Sequence, residues 1–320
     1  MLIGVSPKVD FAFKRVFGNP EHTAITIHFL NAVLNPPQPI VHVEILNPIQ
    51  TKGRASDKIV VLDVLATDNA GRRFNIEMQT TLPSDLPKRL TYYNCRSYVG
   101  QLSEGERYLN LRPAISICVL SRTLFRDASE YHLSFRVRCD QNGQVFTDDL
   151  EFHTLELPKC NRSSDNVESL DPLEKWCYWL NNAEFMKLDE LSEQLVDPEF
   201  REAAGVLEMI SKTPEERQIY EARMKVLHDE EARIIFALDE GRGEGMQTGL
   251  AQGRTEGLTE GLTEGLKDGV EKGSWAGRIQ LFQQLLGEEL TPMEDLLRLG
   301  IDELGQKYRT LENQHRLKGQ

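Results

Sequence analysis

Hydrophobic positions in the first part of the chain follow two periods, one typical of helices and one of strands. Apolar residues at 25, 29, 30 and 33 are spaced as on one face of a helix, which ends before Asn35-Pro36-Pro37. The run PAISICVLS has the continuous hydrophobicity of a strand inside a sheet. The pattern predicts the order α, β, β, β, α, β, with helices at Asp10–Val16, His22–Leu34 and Leu86–Leu102 and strands at Ile40–Ile49, Lys58–Thr67, Arg72–Thr80 and Pro113–Ser121. Two short edge strands are expected at Phe135–Arg138 and Gln144–Phe146.

The second half of the chain has a different texture. Residues 168–236 are rich in Glu, Leu, Lys and Arg and predict several helices. Glycine then stands at every fourth position from 241 to 273, and a last helix follows Thr291-Pro292. We therefore divide the chain into an α/β domain (1–160), an acidic helical region (161–240), a glycine tetrad repeat (241–273) and a C-terminal helical segment (274–320).

The tetrad repeat allows two interpretations. Each glycine costs about 1 kcal/mol relative to alanine inside a helix, so the nine tetrad glycines would make an isolated helix improbable. Close backbone contact with a partner helix could offset that cost, which would make the chain a homo-oligomer through its C-terminal helices. The alternative is a flexible linker.

The net charge of −13 is unevenly distributed. Residues 1–150 carry 17 Lys and Arg against 15 Asp and Glu, a net of +2, whereas residues 151–320 carry a net of −15. The acidity therefore belongs to the C-terminal half. The N-terminal half can still hold a local site for phosphate groups.

Hydrophobicity and cysteine content of the sequence indicate the cellular compartment. No apolar run approaches the roughly 20 residues that span a bilayer, and the N-terminus shows no signal peptide pattern. The five cysteines show no CxxC spacing and indicate reduced thiols. We expect a cytoplasmic protein that does not enter a membrane.

Two carboxylates in the predicted central hairpin are the strongest chemical signal. A three-residue loop Asn69-Ala70-Gly71 would place Asp63 opposite Glu77, because both are seven residues from Ala70. Gln79 would share the face of Glu77. Such a group suits Mg²⁺, which takes one or two carboxylates and keeps several waters. The alternative is that both acids are solvated or paired with nearby arginines.

Several longer strings resemble a known family. They are DFAFKRVFG (Asp10–Gly18), HFLNAVL (His28–Leu34), VLDVLATDNAGRRFNIEMQ (Val61–Gln79) and RLTYYNCRSYVGQLSEGERYLNLRPAISICVL (Arg89–Leu120). Asp63 with Glu77-Met78-Gln79 is similar to the D…(E/D)xK signature of PD-(D/E)XK nucleases. Over about residues 5–240 the chain resembles the Rpn family, the recombination-promoting nucleases or putative transposases of bacteria.

The resemblance implies a restriction-endonuclease-like αβββαβ core with a mostly α-helical C-terminal part. It also implies that Asp63 and Glu77 are catalytic and ligate Mg²⁺, with Mn²⁺ as a substitute. Gln79 stands where the superfamily usually has Lys. A neutral amide can orient water but cannot stabilise its negative charge, which puts the turnover rate in doubt more than metal binding.

Basic and aromatic residues near the acids are candidates for DNA contacts. Arg89, Tyr93 and Arg96 share one face of the helix that follows the Glu77 strand. The alternative interpretation is that Arg89 and Arg96 are ordinary surface residues and that Tyr93 belongs to the core. Lys14 could face either a phosphate or the acids. Two further sets are better explained as ordinary surface residues of the sheet: Lys58, Arg72 and Arg73 beside the hairpin, and Glu44 on the first strand.

The prediction is a Mg²⁺-dependent endonuclease that hydrolyses DNA phosphodiester bonds. Two alternatives remain. One is a DNA-binding protein with little turnover, which Gln79 supports. The other is an oligomerising interaction protein in which the nuclease fold is inert.

Overall fold

A computed structural model describes residues 2–47, 49–50, 60–160 and 164–318. The chain forms two compact units, residues 1–232 and residues 233–320. The first unit is a mixed α/β structure. Its strands are β1 (Val43–Leu46), β2 (Ile49–Gln50), β3 (Val60–Val61), β4 (Val64–Asp68), β5 (Arg73–Gln79), β6 (Ala114–Leu120), β7 (His132–Arg138) and β8 (Val145–Glu156). The α-helices of both units, in chain order, are α1 (Asp10–Phe17), α2 (Thr23–Leu34), α3 (Leu86–Val99), α4 (Pro172–Asn182), α5 (Leu188–Gln194), α6 (Pro198–Lys212), α7 (Pro214–Leu286), α8 (Met293–Leu297) and α9 (Ile301–Lys318).

Six strands form one sheet in the order β1-β4-β5-β6-β8-β7, and β2 pairs with β3 separately. The pairs β1–β4, β4–β5 and β7–β8 are antiparallel, whereas β5–β6 and β6–β8 are parallel. Helix α3 connects the parallel strands β5 and β6, as a parallel connection requires. The predicted α/β class and the helical C-terminal part are confirmed.

The central hairpin has the predicted turn. Gly71 has φ +79°, a left-handed conformation that costs glycine little, and its N–H donates to the carbonyl of Asp68 at 3.0 Å. The Asp68 carboxylate accepts from the backbone N–H groups of Ala70 and Arg72 at 3.0 and 2.9 Å. These bonds fix the register of β4 and β5, in which Val64 pairs with Ile76.

Two strand predictions are wrong in detail. The predicted strand Lys58–Thr67 is interrupted, because Leu62 and Asp63 lie between β3 and β4 and Asp63 is in a bend. Lys58 lies outside the described residues. The predicted edge strand Gln144–Phe146 is the start of the twelve-residue β8, which lies inside the sheet between β6 and β7. The charged and histidine side chains of β8 break the hydrophobic pattern that predicts a buried strand. Glu151 and His153 can nevertheless be buried, because they are hydrogen-bonded to other side chains.

The sheet has a helical layer on each face. Alternate residues of β5 and β6, such as Ile76 and Ile117, join the main hydrophobic core with α1, α2, α4 and α6. Phe17 of α1 and Trp176 of α4 meet there, with ring centroids 5.4 Å apart. On the opposite face, Leu86 and Leu90 of α3 pack on Cys118 and Leu120. The α3 face of the sheet is the one that carries Glu77.

Helix α7 contains every tetrad glycine, so the repeat is helical. Within the described chain, no atom outside the immediate helix backbone lies within 4 Å of a Cβ built at any glycine from 241 to 277. The second unit has its own small core, formed by Ala276 and Ile279 of α7 with Leu296, Leu304 and Leu311. None of the described helices is long and apolar enough to span a bilayer.

Candidate functional site

The hairpin register brings Asp63 and Glu77 together. Continuing the β4–β5 ladder one step beyond Val64 and Ile76 places Asp63 opposite Glu77. Oδ2 of Asp63 accepts from the backbone N–H of Met78 at 2.9 Å, and the backbone N–H of Asp63 donates to Oε1 of Glu77 at 3.4 Å. Each carboxylate thus accepts a backbone N–H from the segment that carries the other acid. We call Asp63 and Glu77 the acid pair.

Glu77 is almost fully buried, with 3% of its surface exposed. The pKa of Glu77 is raised from 4.5 to about 8, mainly by burial and next by the nearby charge of Asp63. The hydrogen bond from the Asp63 backbone N–H and the charge of Lys14 lower the pKa and offset part of this effect. The charge of Lys14 thus compensates the buried Glu77 carboxylate only in part, and a bound cation would stabilise the ionised form further.

Gln79 lies on the same face of β5 as Glu77. Its Nε2 donates to Oε2 of Glu77 at 3.5 Å, a long and therefore weak hydrogen bond. Cys118 of β6 is paired with Glu77 in the sheet. Burial raises the pKa of the Cys118 thiol well above its usual value, and the charges of Glu77 and Asp63 raise it further, so this thiol stays neutral.

Lys14 lies against Asp63 of the acid pair, with 36% of its side chain still exposed. Its Nζ lies 3.0 Å from Oδ1 of Asp63 and 3.8 Å from Oδ2 of Asp10, one turn earlier on α1. Asp10 in turn lies 4.0 Å from Nε of Arg223, at the start of α7. Asp10 and Arg223 were not predicted as site residues. The FAFKR pattern marks α1 as amphipathic, but nothing local in the sequence places α7 beside it.

The α3 residues lie on one half-buried face of the helix. Nε and Nη2 of Arg89 donate to the Tyr93 hydroxyl at 3.4 and 3.3 Å. This hydrogen bond raises the pKa of Arg89, and the charges of Asp85 and Glu77 raise it further. Tyr93 also packs on Leu62 and Leu65, beside the acid pair. The structure thus brings Arg89 and Tyr93 toward the acids, and Arg96 follows on the same face.

The remaining basic residues of the hairpin have other partners. Nε of Arg72 lies 2.7 Å from Oδ2 of Asp68, and Nη1 of Arg73 donates to the carbonyl of Ser97 at 3.3 Å. Glu44 is exposed on β1 opposite Thr67. These contacts agree with the interpretation of all three as ordinary surface residues of the sheet.

The acid pair fits a hard divalent cation with an incomplete protein shell. In the described part of the chain no three His, Cys, Asp or Glu side chains form a metal site. Two carboxylates and one amide oxygen are the kind of partial set that Mg²⁺ accepts, since it retains waters and uses substrate phosphate oxygens. A cation here would also neutralise the charge that raises the pKa of Glu77.

Comparison with known proteins gives one result. The sequence profile of the family described as PD-(D/E)XK nuclease family transposase matches residues 7–237. This range includes the acid pair, Gln79, Lys14, α3 and the first turns of α7. No curated protein and no solved structure matches the chain.

Proposed function

Because the chain belongs to the PD-(D/E)XK nuclease family of transposases, which implies nuclease activity linked to mobile elements, we propose that it is a Mg²⁺-dependent DNA endonuclease. Its reaction is hydrolysis of phosphodiester bonds during recombination or transposition. The observation that carries this proposal is the convergence of Asp63 and the buried Glu77, in which each carboxylate accepts a backbone N–H from the segment that carries the other.

In this proposal Asp63 and Glu77 hold the cation. Bound Mg²⁺ supplies water activation and stabilises negative charge on the scissile phosphate. Gln79 orients a water molecule or completes the ligand set through its amide oxygen. Lys14 contributes the positive charge that Gln79 cannot provide, because its ammonium already lies against Asp63.

Helix α3 supports phosphate contacts beside the acid pair. A guanidinium group suits phosphate because it donates several hydrogen bonds in a planar fork. Tyr93 orients Arg89, since its hydroxyl accepts from two nitrogens of that side chain. In this proposal Arg89 and Arg96 contact the DNA backbone, and Tyr93 holds Arg89 and offers its ring to a sugar or base.

One observation favours DNA binding with little turnover as a second candidate. Gln79 replaces the lysine of the superfamily signature, and its amide is only weakly engaged with Glu77. If Lys14 does not compensate for this replacement, the cation would still bind and the DNA would still be held, but hydrolysis would be slow.

We further propose that the chain is a homo-oligomer through its C-terminal helices. Six of the nine residues that follow the tetrad glycines are apolar and form an exposed row, in which Leu258, Leu262 and Leu266 are 59, 73 and 74% exposed. A helix with this many glycines is costly by itself, and close packing of a second copy along the glycine row would offset that cost.

Plasmid cleavage with and without Mg²⁺ tests the proposed activity. We expect Mg²⁺-dependent nicking or linearisation, lost when EDTA is added. A mobility shift in Ca²⁺, which supports binding without fast hydrolysis in this proposal, separates the two candidates. Binding in Ca²⁺ without cleavage in Mg²⁺ or Mn²⁺ would favour the low-turnover protein. Absence of both would contradict the DNA-directed function altogether.

A further inference from the structure

A polar cavity lies at the carboxyl ends of β5 and β6. It has a volume of about 330 Å³ and is bordered by Thr80, which follows β5, and Ser121, which follows β6. The first turns of α7 form its far wall through His228 and Glu231. The carboxyl ends of parallel strands are the usual place for ligands in open α/β sheets. None of the residues predicted from the sequence borders this cavity.

Arg122 dominates the chemistry of the cavity. Its Nη2 donates to Oε1 of Glu231 at 2.6 Å, and its Nε donates to the carbonyl of Thr80 at 3.2 Å. The side chains of Arg122 and Glu231 are 54 and 44% exposed, so solvent reaches the ion pair. The backbone carbonyl therefore orients the guanidinium, while its outer edge is occupied by a replaceable carboxylate.

The other ionisable side chains that border the cavity are those of Lys8, His228 and Glu184. Lys8 forms no ion pair with any residue that the structure describes. Two ion pairs fix the first turns of α7 on α1, namely Arg15 with Glu216 and Arg223 with Asp10. The α7 wall thus stands beside the helix that carries Lys14, within the first compact unit.

The distance along β5 relates this cavity to the acid pair. Thr80 is three residues beyond Glu77, which corresponds to about 10 Å at the rise of a β-strand. Successive phosphates of one DNA strand advance about 3.4 Å along the helix axis, so a duplex whose axis runs along β5 would advance about three nucleotides over this distance. In that orientation, a strand with its scissile phosphate at the acid pair would carry another phosphate past Arg122, which is held on the carbonyl of Thr80.

We propose that Arg122 and Lys8 form a subsite for a DNA backbone phosphate a few nucleotides from the scissile bond, and that Glu231 holds Arg122 until DNA displaces it. This inference rests on the proposed nuclease function. The exchange is inexpensive because an exposed ion pair contributes little stability, whereas a phosphate offers a guanidinium two oxygens at once. The α7 wall is thereby a part of the DNA site, although the acidic composition of this helix does not indicate DNA binding.

Four substitutions in the full-length protein test the subsite. Affinity for a short duplex that engages one protomer is measured in Ca²⁺ at several salt concentrations. Glu231→Gln removes the competing carboxylate, and Glu208→Gln is its matched control, because Glu208 forms a similar exposed helix pair with Lys212 at 2.9 Å. Arg122→Gln removes the phosphate contact, and Arg201→Gln on the exposed surface of α6 is its control.

We expect Glu231→Gln to tighten binding about twofold to fivefold relative to Glu208→Gln, the range that corresponds to release of one exposed ion pair. Arg122→Gln should weaken binding and lower the slope of log affinity against log salt by about one, unlike Arg201→Gln. In the Arg122→Gln background, Glu231→Gln should bring no gain. Thermal midpoints of all variants should stay close to that of the wild type.

Equal affinities of the Glu231→Gln and Glu208→Gln variants would overturn the subsite, as would an unchanged salt slope in Arg122→Gln. Either result with normal binding by the wild type would leave the nuclease proposal intact. Failure of the wild type to bind the duplex would contradict the nuclease proposal and the subsite together.

Discussion

The ammonium group of Lys14 lies 3.0 Å from Oδ1 of Asp63, across the boundary between α1 and the central hairpin. Gln79, which the resemblance to the superfamily signature places at the position of its lysine, is neutral and lies on β5. The positive charge beside the acid pair therefore comes from a different element. In the proposed nuclease, this relationship gives Lys14 a role at the reacting phosphate and not only in DNA affinity.

Lys14→Met should slow cleavage more than it weakens binding. Loss of one charged group that stabilises developing negative charge costs roughly a hundredfold in rate, so we expect a decrease of at least about tenfold. Duplex affinity in Ca²⁺ should change less than about threefold. Single-turnover cleavage and a binding titration measure the two effects, with Lys187→Met, at an exposed position, as the control. An equal loss in both quantities would identify Lys14 as a simple DNA contact.

Glu77→Gln should stabilise the metal-free protein at alkaline pH. The folded-state pKa of Glu77, about 8, is above its ordinary value of 4.5, because the ionised form is buried beside Asp63. The folded state therefore binds the proton more tightly. The contribution of the protonated Glu77 to the free energy of unfolding is complete below about pH 4.5 and is lost as the pH rises through 8.

Urea unfolding in EDTA at intervals from pH 5 to pH 9 measures this dependence. The wild type should lose stability over that range relative to Glu77→Gln, in which the titrating group is absent. Glu44→Gln, on the exposed face of β1, should follow the wild type. If the free energy of unfolding changes with pH in the same way for the wild type and for Glu77→Gln, ionisation of Glu77 does not destabilise the fold and this prediction is wrong.

The salt dependence of DNA binding should identify the α3 contacts. Arg89→Ala and Arg96→Ala should each reduce the slope of log affinity against log salt by about one, because each removes one phosphate contact. The wild-type slope should be about −2 to −4, as expected for three or four contacts. Tyr93→Phe keeps the ring but removes the hydroxyl that orients Arg89, and should produce a smaller loss of affinity. Unchanged slopes in both arginine variants would remove α3 from the DNA site.

The sequence was informative where the interactions are local. The two-residue period of the strands and Gly71 are sufficient to predict that Asp63 lies opposite Glu77, and the ladder has that register. The interruption at Asp63 and the interior position of β8 were missed. Burial of Glu151 and His153 depends on Arg136 and on hydrogen bonds between side chains, which hydrophobic periodicity does not report.

The partners of the site were harder to predict because they come from distant parts of the chain. Lys14 was a candidate, but its two possible partners could not be distinguished until α1 was placed against the hairpin. Arg122 and Glu231 are 109 residues apart, and no local pattern joins them. The net charge of the C-terminal half was also misleading. A net charge does not report the individual ion pairs that residues in the first turns of α7 form with the N-terminal half.

Deletion of residues 241–320 should lower the oligomeric state. The exposed apolar row and the glycine row of α7 have no partner within the described single chain, which a second copy would provide. Light scattering measures the mass of the full-length and shortened proteins. Gly257→Leu with Gly261→Leu should weaken the association without removing the helix, because leucine favours helix but blocks close approach. A shortened protein with the same number of protomers as the full chain would exclude this surface.

The most direct test of the account is cleavage by variants of the acid pair. Asp63→Asn and Glu77→Gln keep the side-chain size and remove the charge that holds the cation. Each should abolish Mg²⁺-dependent plasmid cleavage, while retaining the fold by circular dichroism and the affinity for a short duplex. Cleavage that persists in both variants at the wild-type rate would contradict the assignment of Asp63 and Glu77 as the metal-binding catalytic pair.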